Sequence, residues 1–288
     1  MKKLILTTAI VLLTISSIFS QTNEVGKKYI YEFRDGTTII GTFEREEHGN
    51  IYIKDLEGKE TYLPRVMVAQ IHEVTNSNIK NGEYWFPNLH DTRYFCSPSA
   101  FGLAKGDGYF GHSYWMLWQA QYGITDEFSI GGGTALWGWP ATLNAKYSFN
   151  MKKDINAAAG WFWVGDLFYG SDEGSILNMP YMVVTKGSKE NNITLGAAYN
   201  FATPFEDWRD VKVEPSERFV LNAGGTFRMG RRFAFVFEAW LLDPIMISHN
   251  DPQIMGGPGI RYFRKINRVT ARKGAGAKTW DFQLMHFP

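Results

Sequence analysis

Residues 140–166 carry a strict alternation of apolar and polar side chains, in two runs that a short polar break separates. In the first run the apolar positions are 141, 143, 145, 147 and 149, and polar residues fill the positions between them. A period of two places successive side chains on opposite faces of a β-strand. Each run is long enough for the roughly 9 to 11 residues that a tilted strand needs to cross a bilayer, whereas strands of soluble sandwiches usually have about 5 to 6. The stretch therefore predicts a hairpin of two membrane-crossing strands, with a soluble β-fold as the alternative.

The alternation continues on both sides of this hairpin and predicts an all-β chain that forms an antiparallel transmembrane β-barrel. Further strands are predicted over residues 94–104, where Pro98 is an interruption, and over 109–122, 127–137, 175–187, 191–201, 218–228, 231–241 and 254–264. Short and long connections alternate, as in barrels with short periplasmic turns and longer external loops. A chain that enters and leaves on one side crosses an even number of times, so a weak strand over 267–274 and a return over 279–287 give about 12 strands, with 10 as the alternative.

Residues 29–74 follow a different pattern, because their alternating strands are too short to span a membrane. Asp35-Gly36, Gly49-Asn50 and Glu57-Gly58 supply the positive φ that tight hairpin turns require. The five predicted strands, with a glycine bend at Gly41, resemble the SH3-like or Sm-like small β-barrel. The resemblance implies a fold and no ligand. We expect this module to cover residues 21–76, followed by an asparagine-rich linker over 77–90 and by the membrane barrel over 91–288.

The first 20 residues have a lysine pair, an apolar core and a small polar exit, which is typical of a cleaved secretory signal peptide. A formal net charge of +1 gives no electrostatic footprint for nucleic acid. The single cysteine, Cys96, excludes an internal disulfide framework. Aromatic residues make up 16% of the chain although its mean hydropathy is −0.24, and a barrel with alternate residues facing lipid accounts for both values.

The last strand ends in alternating aromatic and apolar residues, and it resembles the C-terminal recognition strand of outer-membrane barrels. Over residues 91–288 the chain is similar to the signal-bearing outer-membrane β-barrel proteins of diderm bacteria. The resemblance implies a place in the cell outer membrane, in contact with lipid and with the barrel-assembly machinery. The N-terminal module is then expected in the periplasm, where a periplasmic partner is possible. Phe287 departs from the pattern because it is penultimate and out of phase with Trp280 and Phe282, which indicates a bulge or an atypical assembly signal.

Polar residues on the strands are expected to face the barrel lumen. The candidates are Lys146, Arg218, Asn222, Arg228, Glu238, Arg261 and Asp281. Unpaired charges are costly in a narrow interior, so the favoured interpretation is a salt-bridged plug. The alternative is a basic constriction that selects anions.

The predicted function is a structural or passive transport role in the outer membrane, without cofactor or metal. A secreted soluble ligand-binding β-barrel is one alternative, and an outer-membrane hydrolase that uses His112-Ser113 or Ser248-His249 is another. Adjacent residues of a strand point to opposite faces, which weakens the first pair. The acidic residues Glu206, Asp207, Asp210 and Glu214 could hold calcium, although a solvated loop is the simpler interpretation.

Overall fold

A computed structural model describes residues 23–74, 76, 79–113, 117–135, 138–152, 154–166, 175–201, 205–206, 212–213, 217–242, 253–264 and 278–286. The predicted signal peptide lies outside these residues. The chain divides into two compact units, Met1–Trp85 and Phe86–Pro288, with a boundary inside the predicted linker. The described residues are all-β, with antiparallel sheets and a 3-10 turn at Arg65–Met67. No helix among them has the length and apolar character needed to cross a membrane.

The first unit contains a five-stranded antiparallel sheet in the order β4-β3-β2-β1-β5. Its strands are β1 (Lys28–Phe33), β2 (Thr38–Glu47), β3 (Asn50–Lys54), β4 (Glu60–Pro64) and β5 (Val68–Glu73), and β6 (Ile79–Lys80) pairs with β7 (Glu83–Tyr84) in a separate short hairpin. One face buries a core that includes Tyr31, Phe43, Ile51 and Ile53. This burial of alternate residues explains why the short strands form a compact unit.

The turns of the first sheet use the glycines that the sequence indicates. Gly36, Gly49 and Gly58 have φ values of 86°, 77° and 84°, a region that favours glycine. Beside the first of these turns, the Asp35 carboxylate accepts hydrogen bonds from the Thr37 hydroxyl at 2.7 Å and from the Thr37 amide at 2.9 Å. These two bonds hold the pKa of Asp35 below its ordinary value.

The second unit is built on one eleven-stranded antiparallel sheet. Each strand pairs with its neighbour in the chain, except that β14 pairs with β17, and β8 and β20 stand at the two ends. The strands are β8 (Gly108–Ser113), β9 (Leu117–Gly123), β10 (Phe128–Ala135), β11 (Ala141–Lys152), β12 (Ile155–Gly165), β13 (Ser175–Gly187), β14 (Asn191–Phe201), β17 (Glu217–Arg228), β18 (Phe233–Leu242), β19 (Gln253–Phe263) and β20 (Thr279–Gln283), with a separate pair β15 (Phe205–Glu206) and β16 (Lys212–Val213).

Two of the predicted strands are wrong. Residues 94–104, predicted as the first crossing, form no strand of the sheet. Residues 109–122, predicted as one strand, instead contribute to the two antiparallel strands β8 and β9. The described part of the sheet therefore has eleven strands. The weak strand predicted over 267–274 lies outside the described residues.

The last strand carries no bulge in its described part. Thr279 pairs with Phe263, and Gln283 pairs with Gly259 in the same register. The bridge between His286 and Gly256 continues that register. Phe287 lies outside the described residues, so the prediction of an atypical assembly signal stays a prediction.

The faces of the eleven-stranded sheet differ in polarity. We call the face that residues 86–105 cover the inner face, and we call the opposite face the outer face. Along β11, Lys146 and Ser148 on the inner face are 3% and 6% exposed, whereas Tyr147 and Phe149 on the outer face are 50% and 39% exposed. Other strands repeat this difference, with exposed apolar residues that include Ile130, Trp161, Met182, Ile193, Leu195, Leu221, Phe227, Ile260 and Phe282. The sheet thus buries polar groups and exposes apolar ones.

Candidate functional site

Residues 86–105, which we call the inner segment, occupy the inner face of the sheet. Eight of its apolar and small polar residues are buried: Phe86, Tyr94, Phe95, Ser97, Ser99, Ala100, Phe101 and Leu103. The segment turns back on itself, since the Tyr94 amide donates to the Ser97 carbonyl at 2.9 Å and the Ser99 amide donates to the Thr92 carbonyl at 3.1 Å. Residues 94–97 therefore form its tip.

Both ends of the inner segment lie beside the short connections of the sheet. Near its start, the Asn88 amide donates to Glu190 Oε1 at 2.6 Å, in the connection between β13 and β14. Near its finish, the Lys105 amide donates to Asp126 Oδ1 at 2.9 Å, in the connection between β9 and β10. The segment thus enters and leaves from one end of the sheet, and only its tip reaches the middle of the strands.

Glu238 on β18 holds the tip. Its Oε2 accepts hydrogen bonds from the amides of Phe95, Cys96 and Ser97 at 3.1, 2.9 and 2.8 Å, and from the Ser97 hydroxyl at 3.1 Å. The Trp240 indole donates to Oε1 at 2.8 Å. Three successive amides that converge on one oxygen form a nest, an arrangement that suits an anion. Glu238 has 0% exposure, so these donors replace its hydration.

Lys146 on β11 binds backbone carbonyl groups of the inner segment, whereas Glu238 binds its amides. Its Nζ donates to the carbonyls of Thr92, Ser99 and Phe101 at 3.1, 3.2 and 2.8 Å. A lysine ammonium has three donors, so these carbonyls use all of them. The lysine therefore joins the two arms of the segment just below its tip.

Arg261 on β19 connects the segment to the end of the sheet. Its guanidinium makes a bidentate pair with Asp281 on β20, with distances of 2.9 and 2.8 Å. The same group donates to the His90 carbonyl at 2.8 Å and to the Tyr94 carbonyl at 2.6 Å. A planar guanidinium suits such a combination of carboxylate and carbonyl acceptors.

Tyr94 fixes the segment on the β14 and β17 side. Its hydroxyl donates to Asn192 Oδ1 at 2.6 Å and also bonds the Thr194 hydroxyl. The ring lies directly over Gly224, where an added Cβ would be 2.6 Å from Tyr94 Cδ2. The close approach of this ring explains why the strand carries a glycine there.

A cavity of about 470 Å³ lies beyond the tip, toward the strand ends that border the long connections. Phe162, Met179, Tyr181, Trp240 and Met255 contribute apolar surface, and Arg93, Cys96, Asn144, Arg218 and Asn222 contribute polar or polarisable groups. Cys96 is exposed, and it is among the residues that line this cavity. The inner segment therefore fills one end of the space along the inner face and leaves the other end hollow.

The structure places all seven predicted site residues on the inner face. Lys146, Glu238 and Arg261 bind the inner segment, and Arg228 pairs with Glu190 at 3.1 Å at the short-connection end. Arg218 and Asn222 line the cavity, and Asp281 pairs with Arg261. The predicted strand over 94–104 concealed the inner segment itself. Pro98, which is unfavourable in a central strand, was the signal that could have revealed it.

His112 and Ser113, the first pair of the alternative hydrolase interpretation, lie on opposite faces of β8. The His112 ring packs against Trp118 with centroids 5.2 Å apart on the outer face, whereas Ser113, its neighbour in β8, points to the inner face. Ser248 and His249 lie outside the described residues, as do Asp207, Asp210 and Glu214 of the acidic loop. Within the described residues, no group of three or more His, Cys, Asp or Glu residues could hold a metal ion.

Comparisons of the chain with protein-family models, with curated proteins and with solved structures found no match.

Proposed function

We propose that the chain is an integral outer-membrane β-barrel protein of a diderm bacterium, with an interior that its own inner segment plugs. The observation that carries this proposal is the polarity of the eleven-stranded sheet. Lys146, Glu238 and Arg261 are at most 3% exposed, whereas Leu195 and Met182 on the outer face are 65% and 64% exposed. Soluble monomers rarely expose continuous apolar patches above a few hundred Å². Hydrocarbon around the outer face would remove this surface from water.

The contacts of Arg93 support closure of the sheet between its end strands. Its guanidinium lies over the Tyr109 ring of β8 at 4.8 Å, and its carbonyl accepts a hydrogen bond from Arg261 of β19 at 3.5 Å. One residue thus contacts strands from both ends of the sheet, which requires strong curvature. Closure would satisfy the exposed edges of β8 and β20, as lipid requires.

Within this proposal the barrel has a structural role and is closed to passive ion flow. The favoured sequence interpretation was a plug of paired side chains. The pairs Arg228–Glu190 and Arg261–Asp281 support that interpretation, and the backbone of the inner segment adds acceptors for Lys146 and donors for Glu238. Because the backbone uses their hydrogen-bonding groups, Lys146 and Glu238 are poorly suited to line an ion pathway.

The first unit is proposed to be an SH3-like module on the periplasmic side. The strand order β4-β3-β2-β1-β5 and the 3-10 turn between β4 and β5 support the fold. The start of the inner segment lies beside the short connections, which are periplasmic in barrels of this kind.

Fractionation of cells that produce the full chain tests the proposal. We expect the protein to stay in the membrane after alkaline extraction, to dissolve in detergent, and to migrate faster on gels when it is not heated. In planar bilayers we expect no steady conductance. Recovery in the soluble periplasmic fraction would contradict the membrane assignment, and a stable open channel would contradict the plug.

A secreted soluble ligand-binding protein is the second candidate, because the cavity of about 470 Å³ falls in the range of small-molecule sites, roughly 300 to 1,000 Å³. The exposed apolar outer face disfavours it. The same fractionation separates the two candidates.

A further inference from the structure

The cavity beyond the tip of the inner segment combines an apolar wall with polar groups that donate hydrogen bonds. We propose that it binds a single-chain amphiphile with an anionic head, such as a medium- or long-chain carboxylate. The inference goes beyond the proposed function, because residues of the second unit form this cavity whether or not lipid surrounds the sheet.

The wall favours a hydrocarbon chain. Phe162 on β12, Met179 on β13 and Trp240 on β18 line it, and they lie on the long-connection side of the tip. A sugar or a small polar solute would lose water at this wall without gaining hydrogen bonds. An alkyl chain instead gains from leaving water, and the flexible thioether of Met179 adapts to its shape.

The charges around the cavity favour an anionic head. Three of the described residues that line the cavity are cationic, Arg93, Lys146 and Arg218, and Glu238 is the one acidic residue among these described lining residues. Lys146 and Glu238 already bind backbone groups of the inner segment. The cation on which the proposal rests is therefore Arg93.

Arg93 is the residue that we expect to bind the head. Among the described residues, its guanidinium donates one long hydrogen bond, from Nη1 to the Phe95 carbonyl at 3.5 Å, and stacks over Tyr109. An arginine carries five N–H donors, and its planar fork matches a carboxylate. Most of these donors thus stay available to a ligand.

Asn222 is an independent indication of a ligand. It is 9% exposed, it lines the cavity, and its Nδ2 has no hydrogen-bond partner within the described part of the chain. A buried amide donor without an acceptor is costly, and a carboxylate oxygen would satisfy it. Arg93 and Asn222 both offer donors, so together they favour an acceptor-only head group.

The exposed thiol of Cys96 allows a direct test, because this residue lines the cavity and is the one cysteine of the chain. The full chain is placed in lipid nanodiscs, and the rate of Cys96 modification by a maleimide is measured with dodecanoate or dodecyltrimethylammonium. We expect dodecanoate to slow the reaction at least about tenfold at saturation, and the cation of equal chain length to leave it unchanged. An unchanged rate with dodecanoate, or equal protection by both amphiphiles, overturns the proposal.

Arg93→Gln and Ala198→Phe test the site itself. We expect Arg93→Gln to raise the dodecanoate concentration needed for protection roughly tenfold or more, as for loss of a charge-assisted hydrogen bond. Ala198 lines the cavity, so Ala198→Phe should occupy the space and abolish protection. The matched control Arg232→Gln, at an exposed arginine in the connection between β17 and β18, should behave as the wild type. Wild-type protection in both cavity variants overturns the assignment.

A second measurement is used if the Cys96 thiol reacts too slowly with the maleimide. Nanodiscs that contain the protein should retain radiolabelled dodecanoate saturably, at about one molecule per chain above empty nanodiscs, as for a single pocket. Retention in proportion to lipid alone overturns the proposal. Because heat-modifiable migration is scored on the same samples, failure to bind is distinguishable from failure to form a barrel.

Discussion

We expect Glu238→Ala to release the tip of the inner segment while the sheet stays assembled. The substitution removes the acceptor of three amides, those of Phe95, Cys96 and Ser97. An unsatisfied buried donor costs about 1 to 3 kcal/mol, and three amides lose their acceptor together. Water from the adjacent cavity can satisfy part of the loss. We therefore assign about 3 to 5 kcal/mol to the local destabilisation.

Hydrogen exchange followed by mass spectrometry measures this local effect. At about 1.4 kcal/mol per factor of ten, the opened population of the tip should rise roughly a hundredfold to a few thousandfold. Exchange should therefore accelerate in peptides that cover residues 94–97. Lys146 and Arg261 still bind the rest of the segment, so peptides from β11 and β19 should keep their protection.

Glu217→Ala is the matched control, because this exposed glutamate accepts a hydrogen bond from the Tyr199 hydroxyl on the neighbouring strand β14. Its exchange pattern at the tip should equal that of the wild type. Glu238→Gln keeps the size of the side chain and should give an intermediate effect. Unchanged protection of residues 94–97 in Glu238→Ala would refute the role of Glu238 as the group that holds the tip.

Three further substitutions test other parts of the structure. Leu195→Lys, on the outer face of β14, should lower the stability of the protein in lipid vesicles by about 2 to 4 kcal/mol in a denaturant titration, as expected near the bilayer midplane. Gly224→Ala should cost about 1 to 3 kcal/mol in the same titration, because its Cβ would lie 2.6 Å from the Tyr94 ring. Gly41→Ala should make the first unit of the full chain more sensitive to protease, because its Cβ would lie 2.7 Å from Ile53 Cδ1 in the core.

Each substitution has a control and a contrary outcome. Met229→Lys, in the connection between β17 and β18, should cost about 0 to 1 kcal/mol, and an equally small cost for Leu195→Lys would count against lipid at the outer face. Gly230→Ala should be neutral, since an added Cβ there meets nothing within 4 Å, and an equally neutral Gly224→Ala would contradict the close approach of the Tyr94 ring. Thr38→Ala should leave protease resistance unchanged, and equal resistance of Gly41→Ala would show that the core accommodates the methyl group.

The long strands could be predicted because one physical rule determines their pattern. In β11 each side chain lies on either the polar inner face or the apolar outer face. The period of two in the sequence therefore indicates the strand and its two faces directly. The same rule identifies Lys146 and Glu238 as inner-face residues. Their binding partners cannot be predicted in this way, because the Glu238 contacts join positions 141 to 143 residues apart.

The inner segment was misinterpreted because its local pattern imitates a strand. Residues 94–104 alternate partly between aromatic and small polar side chains, yet their backbone groups bond to side chains of the surrounding sheet. Long-range satisfaction of the backbone thus outweighed local β-propensity. A related error affected residues 109–122, where the aromatic alternation extends from β8 into β9 and hides the break between them.

The order of the contacts along the chain has a consequence for assembly. The ribosome makes the inner segment before any strand of the large sheet, whereas Glu238 and Arg261 belong to two of its last three strands. Until those strands arrive, the amides of residues 95–97 and the carbonyls of His90 and Tyr94 lack these acceptors and donors. In a nascent chain truncated before β18, the inner segment should therefore be loosely bound. Completion of the C-terminal strands should then fix this segment against the sheet.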